Sequence, residues 1–100
     1  MSITTSKSAD GSILTIRIQG RFDFSSHQEF RDAYENNEDI KDYQIDMKET
    51  TYLDSSALGM LLLLRDHAGG DEAQISIVNC NDDVKKILTI SNFEQLFEIQ

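Results

Sequence analysis

Three short runs in which apolar and polar residues alternate constrain the fold of this chain more than anything else in it. Leu14, Ile16 and Ile18 alternate with Thr15, Arg17 and Gln19. Tyr43, Ile45 and Met47 alternate with Gln44, Asp46 and Lys48, and Ala73, Ile75 and Ile77 form a third run. A period of two marks a strand with one buried and one wet face. The stretches between these runs have helical spacing instead. Ser26-His27-Gln28-Glu29 has the spacing of a capping box, followed by Phe30, Ala33 and Tyr34 on one helical face, and Asn36 to Asp39 marks the stop. A second helix begins near Asp54 and is stopped by Gly69-Gly70, with Arg65 and His67 in its last turn. Strands separated by helices require right-handed crossovers and a mostly parallel sheet.

Before the first alternating run, Asp10-Gly11 reads as a tight hairpin turn, because both central positions of such a turn favour positive φ. That adds an antiparallel strand at one edge. Val84, Ile87 and Leu88 set a short third helix, and Phe93, Leu96 and Phe97 close the chain as a helical turn or short strand. The expected fold is a single small α/β domain over residues 1–100. Its mostly parallel sheet has strands near 3–8, 12–19, 43–48 and 73–79, an N-terminal β-hairpin, and helices packed mainly on one face.

Composition narrows the function classes. One hundred residues are enough for one core, and 39% hydrophobic content is ordinary for a globule. Eighteen acidic against nine basic residues leave a formal charge of -9, which repels nucleic-acid backbones and anionic membrane surfaces. The apolar run ending at Leu64 falls far short of the roughly 20 residues a membrane span needs. No secretory signal is visible at the N-terminus, Cys80 is the one cysteine, and a reducing cytoplasm and a monomer when free are expected. Catalytic motifs are missing: there is no G-x-S-x-G elbow, no P-loop and no Cys/His cluster with metal-ligand spacing. His67 lies about three helical turns from Ser55, too far to serve it as a base. A non-enzymatic chain without cofactor or metal is expected.

What remains is the sequence Asp54-Ser55-Ser56 at the mouth of a greasy helix. Asp54 is a favoured N-cap residue, able to accept from the amides of Ser56 or Ala57. The two serines then occupy a first turn whose free amides favour anions. A phosphate on Ser55 would add about -1.5 to -2 of charge beside Asp54, a means of expelling a partner. An ordinary helix start would also look like this. Leu58, Leu61, Leu62 and Arg65 lie along one face of the helix, and Met60, Leu63 and Leu64 spread around the rest. Some of Met60, Leu63 and Leu64 are expected to be exposed for docking.

Thr51 to Leu64, TYLDSSALGMLLLL, resembles the signature of STAS-domain anti-sigma factor antagonists, commonly D-S-[ST]-G-[LIVM]-G after a short strand. GRFDFSSHQEF, from Gly20, is similar to that family's G-x-[LF]-D segment, and Gln74 to Ile99 is similar to its closing strand, helix and terminal segment. Ala57 stands where glycine is usual. The resemblance implies partner switching. The unphosphorylated antagonist binds an anti-sigma factor, often itself a serine kinase, and so frees a sigma factor for transcription. Phosphorylation ends the binding, and a PP2C-type phosphatase, often fused to a response regulator, restores it. Ser55 is the implied phosphoacceptor, with Ser56 the second choice. Asp23 matches the family aspartate near the partner surface and Ser56 is carried over as a neighbour of the acceptor; together with Asp54, Ala57, Met60, Leu63 and Leu64 they are the expected partner contacts. A STAS scaffold in a transport or signalling complex is the alternative.

Overall fold

The computed structural model describes residues 2–37 and 39–100. Strands β1 (Ser2–Lys7), β2 (Ile13–Phe22), β3 (Asp42–Asp46), β4 (Thr50–Leu53), β5 (Ile75–Val78) and β6 (Glu98–Ile99) form one sheet, and its helices are α1 (His27–Glu35), α2 (Ser55–His67) and α3 (Asp82–Ile90). The sheet order is β1-β2-β3-β5-β6, with β4 also pairing β2. Among the described residues only the β1–β2 pairing is antiparallel. The small α/β domain with a mostly parallel sheet and an N-terminal hairpin is therefore as expected.

Alternation explains which face is covered. Leu14, Ile16 and Ile18 of β2, Tyr43 and Ile45 of β3, and Ile75 and Ile77 of β5 are buried in one cluster. Phe30 and Tyr34 of α1, Ala57, Met60, Leu61 and Leu64 of α2, and Val84 and Leu88 of α3 pack into the same cluster. All three helices thus share one face of the sheet. The other face carries Thr15, Arg17, Gln44, Asp46 and Ser76, paired across strands by Thr15–Gln44 and Arg17–Asp46 contacts.

Several local readings need correction. The hairpin connection is no two-residue turn: it runs from Ser8 to Ser12, and within Asp10-Gly11 only Gly11 has positive φ. Asp10 shapes it instead, its Oδ1 accepting from Ser8 Oγ, Ser12 Oγ and Ser12 N. The capping box at Ser26 does not form. Ser26 is buried in a single 3-10 turn over Phe24–Ser26 and makes no side-chain cap, while Glu29 accepts from Ile3 N on the sheet edge. In the predicted stop after α1, the helix ends at Glu35, and Glu38 lies outside the described residues.

Two short strands complete the sheet. β6 follows the closing helical turn, so both alternatives for the C-terminus are realised in succession. β4 precedes Asp54, where the family resemblance implied a short strand. β4 is short and bulged: Gly20 pairs with Thr50 and Arg21 with Tyr52, leaving Thr51 as the extra residue. Gly20 has φ +82, a conformation that accommodates this step and that residues with a Cβ rarely adopt.

The hairpin yields a pH prediction. Hydrogen bonds from the Ser8 hydroxyl first, then from Ser12, hold the Asp10 carboxyl down to about 2. Because the folded-state value is depressed, the stabilisation is present above the ordinary carboxylate range and is lost as pH falls toward 2. Side-chain NMR titration should place Asp10 well below the ordinary carboxylate range, and Asp10→Asn should flatten the acid limb of the stability curve. An ordinary midpoint for Asp10 would refute the hydrogen-bonded turn.

Candidate functional site

The parallel strands β2, β4 and β5 deliver the chain to one rim of the sheet, where α1, α2 and α3 begin. Phe22 pairs with Leu53, so Asp23 and Asp54 leave neighbouring strand ends, about one strand spacing apart. Each carboxylate then organises the turn after it. Asp54 Oδ1 accepts from Ala57 N at 2.9 Å and caps α2. Asp23 Oδ1 accepts from Ser25 N at 3.0 Å and from Ser25 Oγ at 2.5 Å. The Ser25 hydroxyl is the main cause that holds the Asp23 carboxyl below its ordinary value, with the Ser25 amide and Arg21 assisting against slight desolvation.

Asn81 closes the third side. Its Oδ1 accepts from Val84 N and caps α3, while its Nδ2 donates to Thr50 O. This one side chain ties the start of α3 to strand β4. Thr50 is itself buried, with Oγ1 donating to Ile18 O at 2.7 Å. The segment leading into α2 is thus held from both sides before the serines are reached.

Ser55 is exposed at the first position of α2, and Ser56 is half-buried behind it. Along α2, Ala57, Met60, Leu61 and Leu64 point into the core at helical spacing. The opposite stripe runs Ser55, Gly59, Leu62, Leu63 and Asp66, all exposed. Of the expected docking residues the structure exposes Leu63 and removes Ala57, Met60 and Leu64. Ala57 and Leu64 are fully buried and Met60 is 4% exposed, whereas Leu63 is 52% and Leu62 42% exposed. A uniformly apolar run carries no periodicity to show which residues the sheet will cover. Of the predicted contacts, Asp23, Asp54, Ser56 and Leu63 remain accessible, the first three at least in part.

Gly59 is informative because the fold has no use for it. An added Cβ there would meet nothing within 4 Å, yet glycine inside a helix costs about 1 kcal/mol relative to alanine. Sequence reading missed Gly59, Leu62 and two further rim residues. Phe24 is 70% exposed and stacked on His27 at 5.7 Å. Arg21 lies over the Tyr52 ring at 4.5 Å and pairs with Asp23. The phenylalanine could have been found in the sequence as an apolar residue following the Asp23 turn. The Arg21–Tyr52 pairing could not, because it depends on the bulged register.

The bare face of the sheet holds a groove of about 430 Å³ lined by Arg17, Gln19, Asp46, Lys48, Glu49 and Asn79. Its polar groups largely satisfy one another, through Arg17–Asp46, Asn79–Asp46 and Gln19–Glu49 contacts. Among the described residues no helix is long and apolar enough to cross a membrane.

With that geometry in hand, comparison with known proteins places the chain. It belongs to the family described as Mlab, STAS domain, whose profile matches residues 5–98. It is 66% identical over 100 residues to a STAS-domain containing protein of Pseudomonas aeruginosa strain UCBPP-PA14, covering 99% of each chain. Its fold is similar to that of the Bacillus anti-sigma factor antagonist SpoIIAA. The unphosphorylated form of SpoIIAA superposes with TM-score 0.72 at 12% identity, over 99% of this chain and 87% of that one. The phosphorylated form gives 0.67 at 12%, over 99% and 91%. A sulfate transporter family protein of Wolinella succinogenes shares the fold with TM-score 0.77 at 14% identity, over 94% and 79%.

The division of α2 into two faces makes a mutational contrast. Leu64→Ala should cost about 2–5 kcal/mol of stability, while Leu63→Ala should stay within about 0.5 kcal/mol of the parent in urea denaturation. Equal costs would mean that the faces are wrongly assigned. Gly59→Ala should stabilise the isolated domain by about 0.5–1 kcal/mol, and a loss of stability there would show that packing within the domain requires the glycine.

Proposed function

We propose that the chain is a cytoplasmic, non-enzymatic protein-binding switch controlled by phosphorylation of Ser55. Unphosphorylated, it holds an anti-sigma factor and so frees a sigma factor for transcription. Phosphorylated, it lets that partner go, and a PP2C-type phosphatase resets it. The observation that carries this reading is the position of Ser55, exposed at the head of the stripe that continues through Gly59, Leu62 and Leu63. The hydroxyl is accessible to a kinase, and the surface it heads is apolar without being needed for the core. Gly59 lets a partner approach the helix backbone closely, which gives the unused glycine a purpose.

The same geometry explains how one phosphate could end binding. A group carrying about -1.5 to -2 would sit beside Asp54 at the edge of the apolar stripe. A partner desolvating Leu62 and Leu63 would also have to desolvate that charge, a cost of several kcal/mol if left unpaired. Asp54 is already committed to its cap on Ala57 N, so α2 itself need not move. The exchange of partners would be a change of surface, with the fold unaltered.

A second reading rests on one observation, the shared fold with a protein of the sulfate transporter family. There the domain would be a constitutive scaffold in a transport complex, and Ser55 an ordinary helix-start residue.

Intact-mass measurement with fragmentation, on the protein purified from its host before and after phosphatase treatment, separates the two. The switch predicts one phosphatase-sensitive phosphoryl group on Ser55, absent from Ser55→Ala. That variant should keep parental stability and hold the anti-sigma factor constitutively, whereas adding Leu63→Asp should abolish the complex without unfolding the domain. Absence of modification under every growth condition tested, with transporter subunits co-purifying, would favour the scaffold. A phosphate retained by Ser55→Ala would make Ser56 the acceptor.

A further inference from the structure

Arg21 is the one basic residue in the segments that build the rim, residues 20–25, 50–63 and 79–83, of a chain with formal charge -9. Its position is set twice. Register places it beside Tyr52, with its guanidinium 4.5 Å from the ring centroid, and Nε lies 3.5 Å from Asp23 Oδ2. Its side chain is about two-thirds exposed. The Asp23 contact is long and made through Nε, so the paired terminal nitrogens are left without an acceptor among the described residues. Those nitrogens form the fork that binds carboxylates and phosphates in bidentate fashion.

We propose that Arg21 is an intramolecular latch for the phosphate on Ser55. The inference rests on the reading of Ser55 as the modified residue and adds a positioning residue to that switch. Asp23 and Asp54 leave adjacent strand ends about one strand spacing apart, and Ser55 follows directly. An arginine in contact with Asp23 thus stands one strand over from the segment that carries Ser55, and in the proposed latch its flexible side chain reaches across to the phosphate. A phosphate offers more charge and more acceptor oxygens than the Asp23 carboxylate, so the guanidinium exchanges one for the other. That exchange frees Asp23 from its cation and draws Arg21 off the Tyr52 ring. Phosphorylation would then alter the rim at Ser55, Asp23 and Tyr52 together, beyond adding charge at one point.

The test uses the full chain carrying genetically encoded phosphoserine at position 55, so that no kinase is needed. The second ionisation of the phosphate is followed by phosphorus NMR in the parent and in Arg21→Gln, Arg21→Lys and Arg65→Gln. The last makes the same charge change at the far end of α2. A latch predicts that the parent phosphate ionises at a pH lower by about half a unit or more than in Arg21→Gln. Arg21→Lys should fall between them and Arg65→Gln should match the parent. The proposal is overturned if Arg21→Gln leaves the titration unchanged, or if Arg65→Gln shifts it equally. Failure of the switch itself would appear elsewhere, as a host-purified protein without phosphate on Ser55, and would leave this titration readable.

Discussion

The parallel pairing of β2 with β4 sets the geometry on which the whole site depends. β2 is the longest strand, pairing with β1 on one side and with β3 and then β4 on the other. The same ten residues fill the centre of the core, with Leu14, Ile16, Ile18 and Phe22 all essentially buried. The bulge at Gly20 and Thr51 lets β4 continue along β2 after the chain has turned through Met47 to Glu49. Once Phe22 stands opposite Leu53, Asp23 and Asp54 must emerge together. Every feature of the rim follows from that pairing: two capping aspartates, Arg21 over Tyr52, and the serine at the start of α2. Burial of Phe22 and Leu53 fixes the register, since a slip of one residue would turn Phe22 toward solvent and bring Arg21 into the core.

Electrostatics at the rim are arranged around the helix starts. Asp54 and Asn81 both accept from the third amide beyond them, capping α2 and α3, and Asp23 does the equivalent for the short turn before α1. Capping of this kind is worth about 1 kcal/mol each, so the rim is among the more firmly held parts of the surface. A rigid rim suits a site whose state is to be set by a covalent charge. In the proposed switch a partner would meet one backbone geometry in either state, and discrimination would rest on the phosphate and the side chains that answer it.

The sequence revealed the architecture wherever burial imposes a period. The three alternating runs appear as β2, β3 and β5, and the hairpin and the three helices stand where spacing put them. It misled where one residue type could satisfy two partners. Glu29 has capping-box spacing, yet the edge strand offers it the Ile3 amide, and tertiary pairing prevails over the local cap. β4 is invisible in the residue pattern because its bulge breaks the alternation, leaving buried, exposed, exposed, buried, and only the family resemblance implied a short strand there. In α2 the difficulty was an excess of signal, since every position from Met60 to Leu64 is apolar. Only packing against the sheet decides that Met60, Leu61 and Leu64 go in and Leu62 and Leu63 stay out. Ser55 stood out as a candidate from its cap and its motif, but Arg21, Phe24 and Gly59 acquire meaning only from what stands beside them, or from what does not.

That last category says most about function. A domain selected for stability alone would put alanine at position 59 and polar residues at 24, 62 and 63, since none of these positions supports the core. Retaining glycine in mid-helix lowers stability by about 1 kcal/mol, and retaining exposed leucines raises the risk of association. Both disadvantages fall on the solvent stripe of α2 that begins at Ser55, while Phe24 stands at the start of α1 on the same rim. The neighbouring acids, Asp23, Asp54 and Asp66, oppose self-association through charge while leaving the apolar surface available. A partner contributing a complementary apolar face with basic edges would relieve both disadvantages at once. A phosphate at the head of the stripe would restore them.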